Sequence, residues 1–280
     1  MPVHDDLGNR MKTFYEQIPK TKLMRRTPVI IRIDGKAFHT FTRGFKRPFD
    51  EILIKTMQET TKYLCENIQG CVLGYTQSDE ITLVLVDYQR FESCAWFDYE
   101  IQKICSISAS MATMKFNQIF SDLVTDAWNE MDYVENKDYL EALDKACSKG
   151  AMFDARVFNI PKEEVTNCVY WRQLDASRNS IQMVGQANFS HKELHCKTCN
   201  DIQDMLMLQK NINWNDFPTH QKRGTCVVRN KIVLESNDIT ETVMLRDITK
   251  SENEWIIDKE IPVFKGEGRE YIEKLVMVGE

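Results

Sequence analysis

The stretch Val29-Ile30-Ile31-Arg32-Ile33 limits most strongly what this chain can fold into. It is a β-branched run introduced by Pro28 and closed by Asp34-Gly35. Branched aliphatic side chains lose rotamer freedom in a helix and pack well on a pleated surface, and a run with so little polar alternation implies a strand covered on both faces.

The remaining elements are arranged around that strand. A helix is expected at Leu7 to Tyr15. Pro48 fits a first helical turn, after which Ile52, Leu53, Met57 and Leu64 recur at helical spacing until Gly70. Cys71 to Tyr75 and Ile81 to Val86 are apolar runs joined by Thr76-Gln77-Ser78-Asp79-Glu80, an antiparallel hairpin with an acidic tip. Between Phe91 and Phe120, the residues Phe97, Ile101, Ile104, Ile107, Met111 and Met114 step by three or four, predicting a long helix that buries this set. Ala151 to Ile160 is another strand, and the charged segment Glu135 to Gly150 is either a connecting helix or a loop. The order strand, helix, strand, strand, helix, strand defines an α+β class, the ferredoxin-like βαββαβ arrangement of many polymerase palms. Beyond Pro161 the pattern is mainly helical, through Trp171 to Gly185 and Lys192 to Gln209, before short strands in Thr225 to Glu235. The expected division is a palm domain over residues 1–160 and a helical and short-strand region over 161–280.

With 280 residues the chain can bury a core without disulfide or metal staples. Its 36 basic and 42 acidic side chains give a net charge of −6, which excludes a protein that coats nucleic acid indiscriminately, so any RNA site must be a local basic patch. Nine cysteines, odd in number and scattered through apolar segments, fit reduced thiols and an intracellular, cytoplasmic setting. No apolar run approaches the roughly 18 residues of a membrane span, so no membrane partner is expected.

Asp34 closes the first strand and Asp79 occupies the tip of the hairpin expected beside it. Alone, Asp-Gly is an ordinary turn and Ser-Asp-Glu an ordinary hairpin tip. Together, two carboxylates at adjoining strand ends, with an accessible carbonyl at Gly35, make an oxygen-rich site suited to Mg²⁺. Glu80 is a further catalytic candidate or simply the charged start of a strand. The turn Lys36-Ala37-Phe38-His39 offers backbone N–H groups to a phosphate, with His39 a ligand or a packed ring. Lys46 and Arg47 precede the Pro48 helix, and Lys103 either reaches a triphosphate or snorkels to solvent. His191, His195, Cys196 and Cys199 form a cluster open to two readings, a zinc site or reduced thiols on a structural helix. The run Lys20, Lys22, Arg25 and Arg26 either touches RNA or is a solvated loop.

These motifs extend to Phe153-Asp154-Ala155-Arg156-Val157, Trp171-Arg172-Gln173 with Asp175, Phe189-Ser190-His191-Lys192-Glu193-Leu194 and Lys222-Arg223-Gly224. In that order, over roughly residues 5 to 230, the chain resembles the histidine-tRNA guanylyltransferases and their 3′-to-5′ polymerase relatives. The resemblance implies a nucleotidyltransferase in which Asp34, the Gly35 carbonyl and Asp79 hold two Mg²⁺ ions. It also implies that Asp34, Gly35, Lys36, Ala37, Phe38, His39, Ser78 and Asp79 bind the incoming nucleotide, with Arg47 and Lys103 at its triphosphate. ATP and GTP or other nucleoside triphosphates are then substrates, tRNA is the partner, and Arg172 and Asn179 are candidate RNA contacts. Relatives form tetramers, so a homo-oligomer is implied. Where histidine-specific members carry His-Ile-Asn-Asn, this chain has Ser177-Arg178-Asn179-Ser180. That departure points to template-dependent repair of tRNA 5′ ends. The alternatives are a dedicated histidine-tRNA guanylyltransferase, a palm-fold nucleotide cyclase and a non-catalytic RNA-binding module.

Overall fold

Alternate residues of the β-branched run feed two cores. In β1 (Val29–Gly35), Val29, Ile31 and Ile33 enter one apolar cluster and Ile30 enters another, as a strand covered on both faces requires. The computed structural model describes residues 5–229 and 254–279. β1 pairs antiparallel with β3 (Glu80–Leu85), setting Ile33 opposite Ile81 and Asp34 opposite Glu80. On its other side it pairs with β4 (Phe153–Asn159), setting Asp34 opposite Asp154. β2 (Cys71–Gln77) flanks β3, and β5 (Thr225–Arg229) and β6 (Trp255–Asp258) continue the sheet beyond it. The result is six strands in the order β4-β1-β3-β2-β5-β6. The first four strands are the expected palm. β5 and β6 come from the second half of the chain, so the expected division near Pro161 runs across a single sheet. The part of Thr225 to Glu235 beyond Arg229 lies outside the described residues.

One face of the sheet is covered by α3 (Glu51–Asn67) and α4 (Ile101–Glu130). At the Gly35 end of that face, Phe38, Phe41, Phe45, Phe116, Phe120 and Phe153 form a cluster with ring centroids 5.1–5.8 Å apart. The other face carries α6 (Lys162–Asn188), through Val165 and Val169, and a late helix (Glu270–Val276), through Ile272 and Leu275. A third cluster, including Val184, Phe189, Ile202 and Leu206, joins α6 to α8 (Cys199–Lys210).

Several helices depart from expectation. The first is α1 (Asp6–Met11), capped by Asp5 and continued by a wider turn over Lys12–Glu16. α4 begins at Ile101 rather than Phe91, and its buried face is Ile104, Ser108, Ala112, Phe116, Phe120, Val124 and Ala127. Ile107 and Met114, expected inside, are 36% and 47% exposed. The buried positions step by four through Phe116 and Phe120, whose rings enter the phenylalanine cluster with Phe38, Phe41 and Phe153, and that docking turns Ile107 and Met114 outward. The charged segment forms α5 (Tyr133–Lys149), started by the Asp132 carboxylate, which accepts from the N–H groups of Val134 and Glu135. The helix expected over Lys192 to Gln209 is split into α7 (His191–Leu194) and α8, because Ser190 with Glu193 and Thr198 with Asp201 form two successive capping boxes. No helix among the described residues is long and apolar enough to cross a membrane.

The rotated face of α4 yields a direct check. Phe116→Ala should cost about 3–5 kcal/mol by denaturant unfolding, whereas Met114→Ser should stay within about 0.5 kcal/mol of the parent.

Candidate active site

The β1–β3 register brings the end of β1 beside the turn that opens β3. The Gly35 N–H donates to the Asp79 carbonyl at 3.1 Å, which joins the two strand ends directly. Ser78 holds the turn with a φ of 51°, and its hydroxyl donates to Asp79 Oδ1 at 3.1 Å. Residue 35 must be glycine here, because a Cβ would overlap the Phe38 ring packed against it. The chain then turns through Ala37, at a φ of 54°, into the short helix α2 (Phe38–Phe41). Two N–H groups of this turn are taken by the fold, that of Gly35 by Asp79 and that of Lys36 by the Met152 carbonyl at 2.8 Å. The expected cradle of N–H groups is therefore shorter than the motif suggested.

These residues open onto a cavity of about 630 Å³. Gly35, Ser78 and Asp79 form one part of its wall, His39, Arg43, Lys46 and Arg47 supply cationic and imidazole groups, and Met183 and Gln186 close it from α6. Asp50 fixes the loop that carries the cations. Its buried carboxylate accepts from the N–H of Lys46 at 3.1 Å, the N–H of Leu53 at 3.0 Å and the Tyr139 hydroxyl at 2.8 Å. One acidic side chain thus caps α3 and fastens the basic loop to it. Burial together with Asp50 pushes the Tyr139 phenol up, so it stays a donor.

Asp34 and Asp79 are both held above the usual carboxylate range. For Asp34 the main cause is burial, followed by the negative charges of Glu80 and Asp154. For Asp79 it is again burial, partly offset by hydrogen bonds from its own N–H and from Ser78. Crowded, partly desolvated carboxylates are hard oxygen donors of the kind a divalent cation prefers, and such an ion relieves their mutual repulsion. Among the described residues no three His, Cys, Asp or Glu side chains converge as a metal cluster. A divalent cation at these strand ends would draw on the Asp34 and Asp79 carboxylates and complete its coordination with backbone carbonyl or water oxygens.

Other candidates lie elsewhere. Asp34 and Lys36 adjoin the cavity in sequence but do not line it. Lys103 does not line it either, and its ammonium sits 4.7 Å from the centre of the Phe97 ring. Glu80 is turned away into an ion-pair chain, with Arg172 Nε at 2.6 Å from Oε1 and Arg32 Nη2 at 3.1 Å from Oε2. Arg172 is buried and also bonds Asp175 at 2.8 Å, so its guanidinium is committed to the fold and is not offered to RNA. Asn179 lines a smaller second cavity of about 80 Å³ that meets the first at Asp50, Leu53, Ser78 and Met183. In the basic N-terminal run, Lys20 pairs with Glu16, Lys22 with Asp98, and Arg25 with Asp87 and Asp98. His191 and His195 stack with ring centroids 6.4 Å apart, and Cys196 and Cys199 are free thiols. Arg43, Met183 and Gln186 are site residues that the motifs did not reveal. The α6 pair carries only the signal of being exposed or half-exposed beside the buried Val184.

Replacing Arg172 with Met should destabilise the protein by about 3–5 kcal/mol, because Glu80 is then left buried without its main partner. Adding Glu80→Leu to that variant should recover much of that stability in a urea titration.

The family model described as Thg1, tRNAHis guanylyltransferase, matches residues 8–161. A bacterial tRNA(His) guanylyltransferase (Thg1)-like protein solved in complex with ATP is 40% identical, with a TM-score of 0.77, and the match covers 97% of this chain and all of that one. A bacterial Thg1-like protein in complex with GTP is 38% identical, with a TM-score of 0.73, covering 98% of this chain and 100% of that one. A probable tRNA(His) guanylyltransferase of Drosophila melanogaster is 25% identical over 252 residues, 84% of this chain and 80% of the fly protein. With the palm sheet, the acidic strand ends and the basic cavity in place, this chain belongs to the tRNA-His guanylyltransferase (Thg1) family of nucleotidyltransferases.

Proposed function

We propose that this chain adds nucleotides to the 5′ end of tRNA in the 3′-to-5′ direction, copying the opposite strand to repair truncated acceptor stems. The carrying observation is the cavity that has Gly35, Ser78 and Asp79 on one part of its wall and Arg43, Lys46 and Arg47 on another. A nucleoside triphosphate spans such a site naturally, with its negative charge toward the basic loop. The ATP and GTP complexes of the bacterial relatives support nucleotides as ligands here.

The chemistry asks for in-line positioning and charge neutralisation rather than a protein nucleophile. Two Mg²⁺ ions, held by Asp34, Asp79 and the Gly35 carbonyl, would supply that neutralisation and activate the attacking hydroxyl. The protein's own groups orient the substrates. Arg43, Lys46 and Arg47 bind triphosphate oxygens, Ser78 and Gly35 keep Asp79 in place, and Met183 and Gln186 bound the nucleotide on the α6 side. A 5′-monophosphate is first joined to AMP from ATP with loss of pyrophosphate. The 3′-hydroxyl of the bound nucleotide then attacks that 5′ phosphorus, and AMP leaves.

Repair rather than histidine-specific addition is favoured by the segment Ser177 to Ser180. Arg178 is engaged by Asp175, and the Ser180 hydroxyl accepts from the Trp214 indole at 2.9 Å, leaving no imidazole there to read an anticodon base. Selection then rests on pairing within the acceptor stem.

Two tRNAs lacking their first 5′ nucleotide, with different anticodons, should both be extended when offered Mg²⁺, ATP and the nucleotide complementary to the opposing base. Addition of guanosine alone, to histidine tRNA alone, whatever the opposing base, would restore the dedicated guanylyltransferase. Asp79→Asn should lower turnover on the order of a hundredfold or more. Mg²⁺ should raise the Tm of the parent and not of an Asp34→Asn/Asp79→Asn variant; equal shifts in both would remove the metal assignment.

A further inference from the structure

A third cavity, of about 470 Å³, adjoins the first across Arg47 and Gln186, which line both. Its remaining polar lining is Gln182, His191, His195 and Lys197, and no carboxylate takes part. The nearest acids along the chain are turned to other work. Glu193 Oε2 accepts from the Ser190 N–H and hydroxyl at 2.8 and 2.7 Å, and Asp201 Oδ2 accepts from the Thr198 N–H and hydroxyl, both at 2.8 Å. The same two capping boxes that split the helix therefore leave the cations of this cavity without a lining acid. Such a lining suits phosphate oxygens.

The three cavities run along one stripe of α6. Asn179 lines the second, Met183 the first and second, Gln186 the first and third, and Gln182 the third. At about 1.5 Å per residue this stripe extends roughly 10 Å along the helix before the cavities' own widths are counted. A compact ligand would fill one chamber, whereas a line of connected chambers that stays basic beyond the first, through Arg47 and Lys197, fits a strand.

We propose that the cavity lined by Lys197, His191 and His195 is a seat for backbone phosphates of the RNA substrate. This proposal rests on the function proposed above. It makes these side chains contacts that set RNA affinity without reading sequence.

The test is direct binding of a 5′-truncated tRNA to the full chain across a salt series, with ATP and GTP affinity measured in parallel. Lys197→Ala and the pair His191→Ala/His195→Ala should each weaken RNA binding several-fold, and Lys197→Ala should also flatten its salt dependence by about 0.7–0.9 for the phosphate no longer neutralised. Nucleotide affinity should stay unchanged, and Lys197→Arg should restore RNA binding. Loss of ATP or GTP affinity with RNA binding intact would make the cavity a second nucleotide seat and overturn the proposal. Parent-like RNA affinity in the triple variant would overturn it too. A parent protein that binds RNA through these residues but adds no nucleotide would overturn the activity proposed above, and not this seat, because binding is read without turnover.

Discussion

The contact between Glu80 and Arg172 fixes the geometry on which the other features depend. Glu80 opens β3 immediately after the Ser78-Asp79 turn, and Arg172 lies within α6, so the contact sets how the long helix crosses the end of the sheet. Each of the three cavities uses α6 as a wall. Taking both charges out of water costs several kcal/mol per ion, and the pair is sustained because neighbours complete an alternating row of Arg32, Glu80, Arg172, Asp175 and Arg178. An apolar contact could hold the same elements as firmly but would accept many rotations of the helix. A guanidinium fork against a carboxylate accepts few.

Local features of the sequence revealed the palm well and the site in part. Strand identity followed from β-branching in Val29 to Ile33, and the hairpin from two apolar runs around an acidic tip, because these signals lie within a few residues of one another. The pairing of Glu80 with Arg172, 92 residues apart, has no local signature. In the sequence Glu80 looked like one more acid beside Asp79, and Arg172 like an RNA contact. The α4 face was misplaced for a related reason, since apolar periodicity weights Ile107 and Met114 by hydrophobicity, while the face actually buried is set by the docking of Phe116 and Phe120 against Phe38, Phe41 and Phe153, partners distant in sequence. The strand of Trp255–Asp258 falls in a stretch where no strand was expected, and only pairing with β5 reveals it.

A chain of net charge −6 can present a basic surface because its acids are spent unevenly. Asp50, Glu193 and Asp201 are occupied by backbone N–H groups at helix starts, and Glu80 and Asp175 by arginines. Arg43, Lys46, Arg47 and Lys197 are left facing cavities. Net charge therefore describes solubility and long-range repulsion, while recognition depends on which acids the fold has already engaged.

The continuation of the sheet through β5 and β6 has a bearing on how the protein is made. β2 pairs with β5 through Thr76 and Thr225, so the edge of β2 waits for a partner encoded far downstream. At a synthesis rate of about 5–20 residues per second, that edge emerges from the ribosome well before its cover exists. An unpaired strand edge carrying Leu73 and Tyr75 is a template for wrong pairing with another nascent chain. The hazard ends only when β5 and then β6 add themselves to that edge, so the last strands made are the ones that close the sheet.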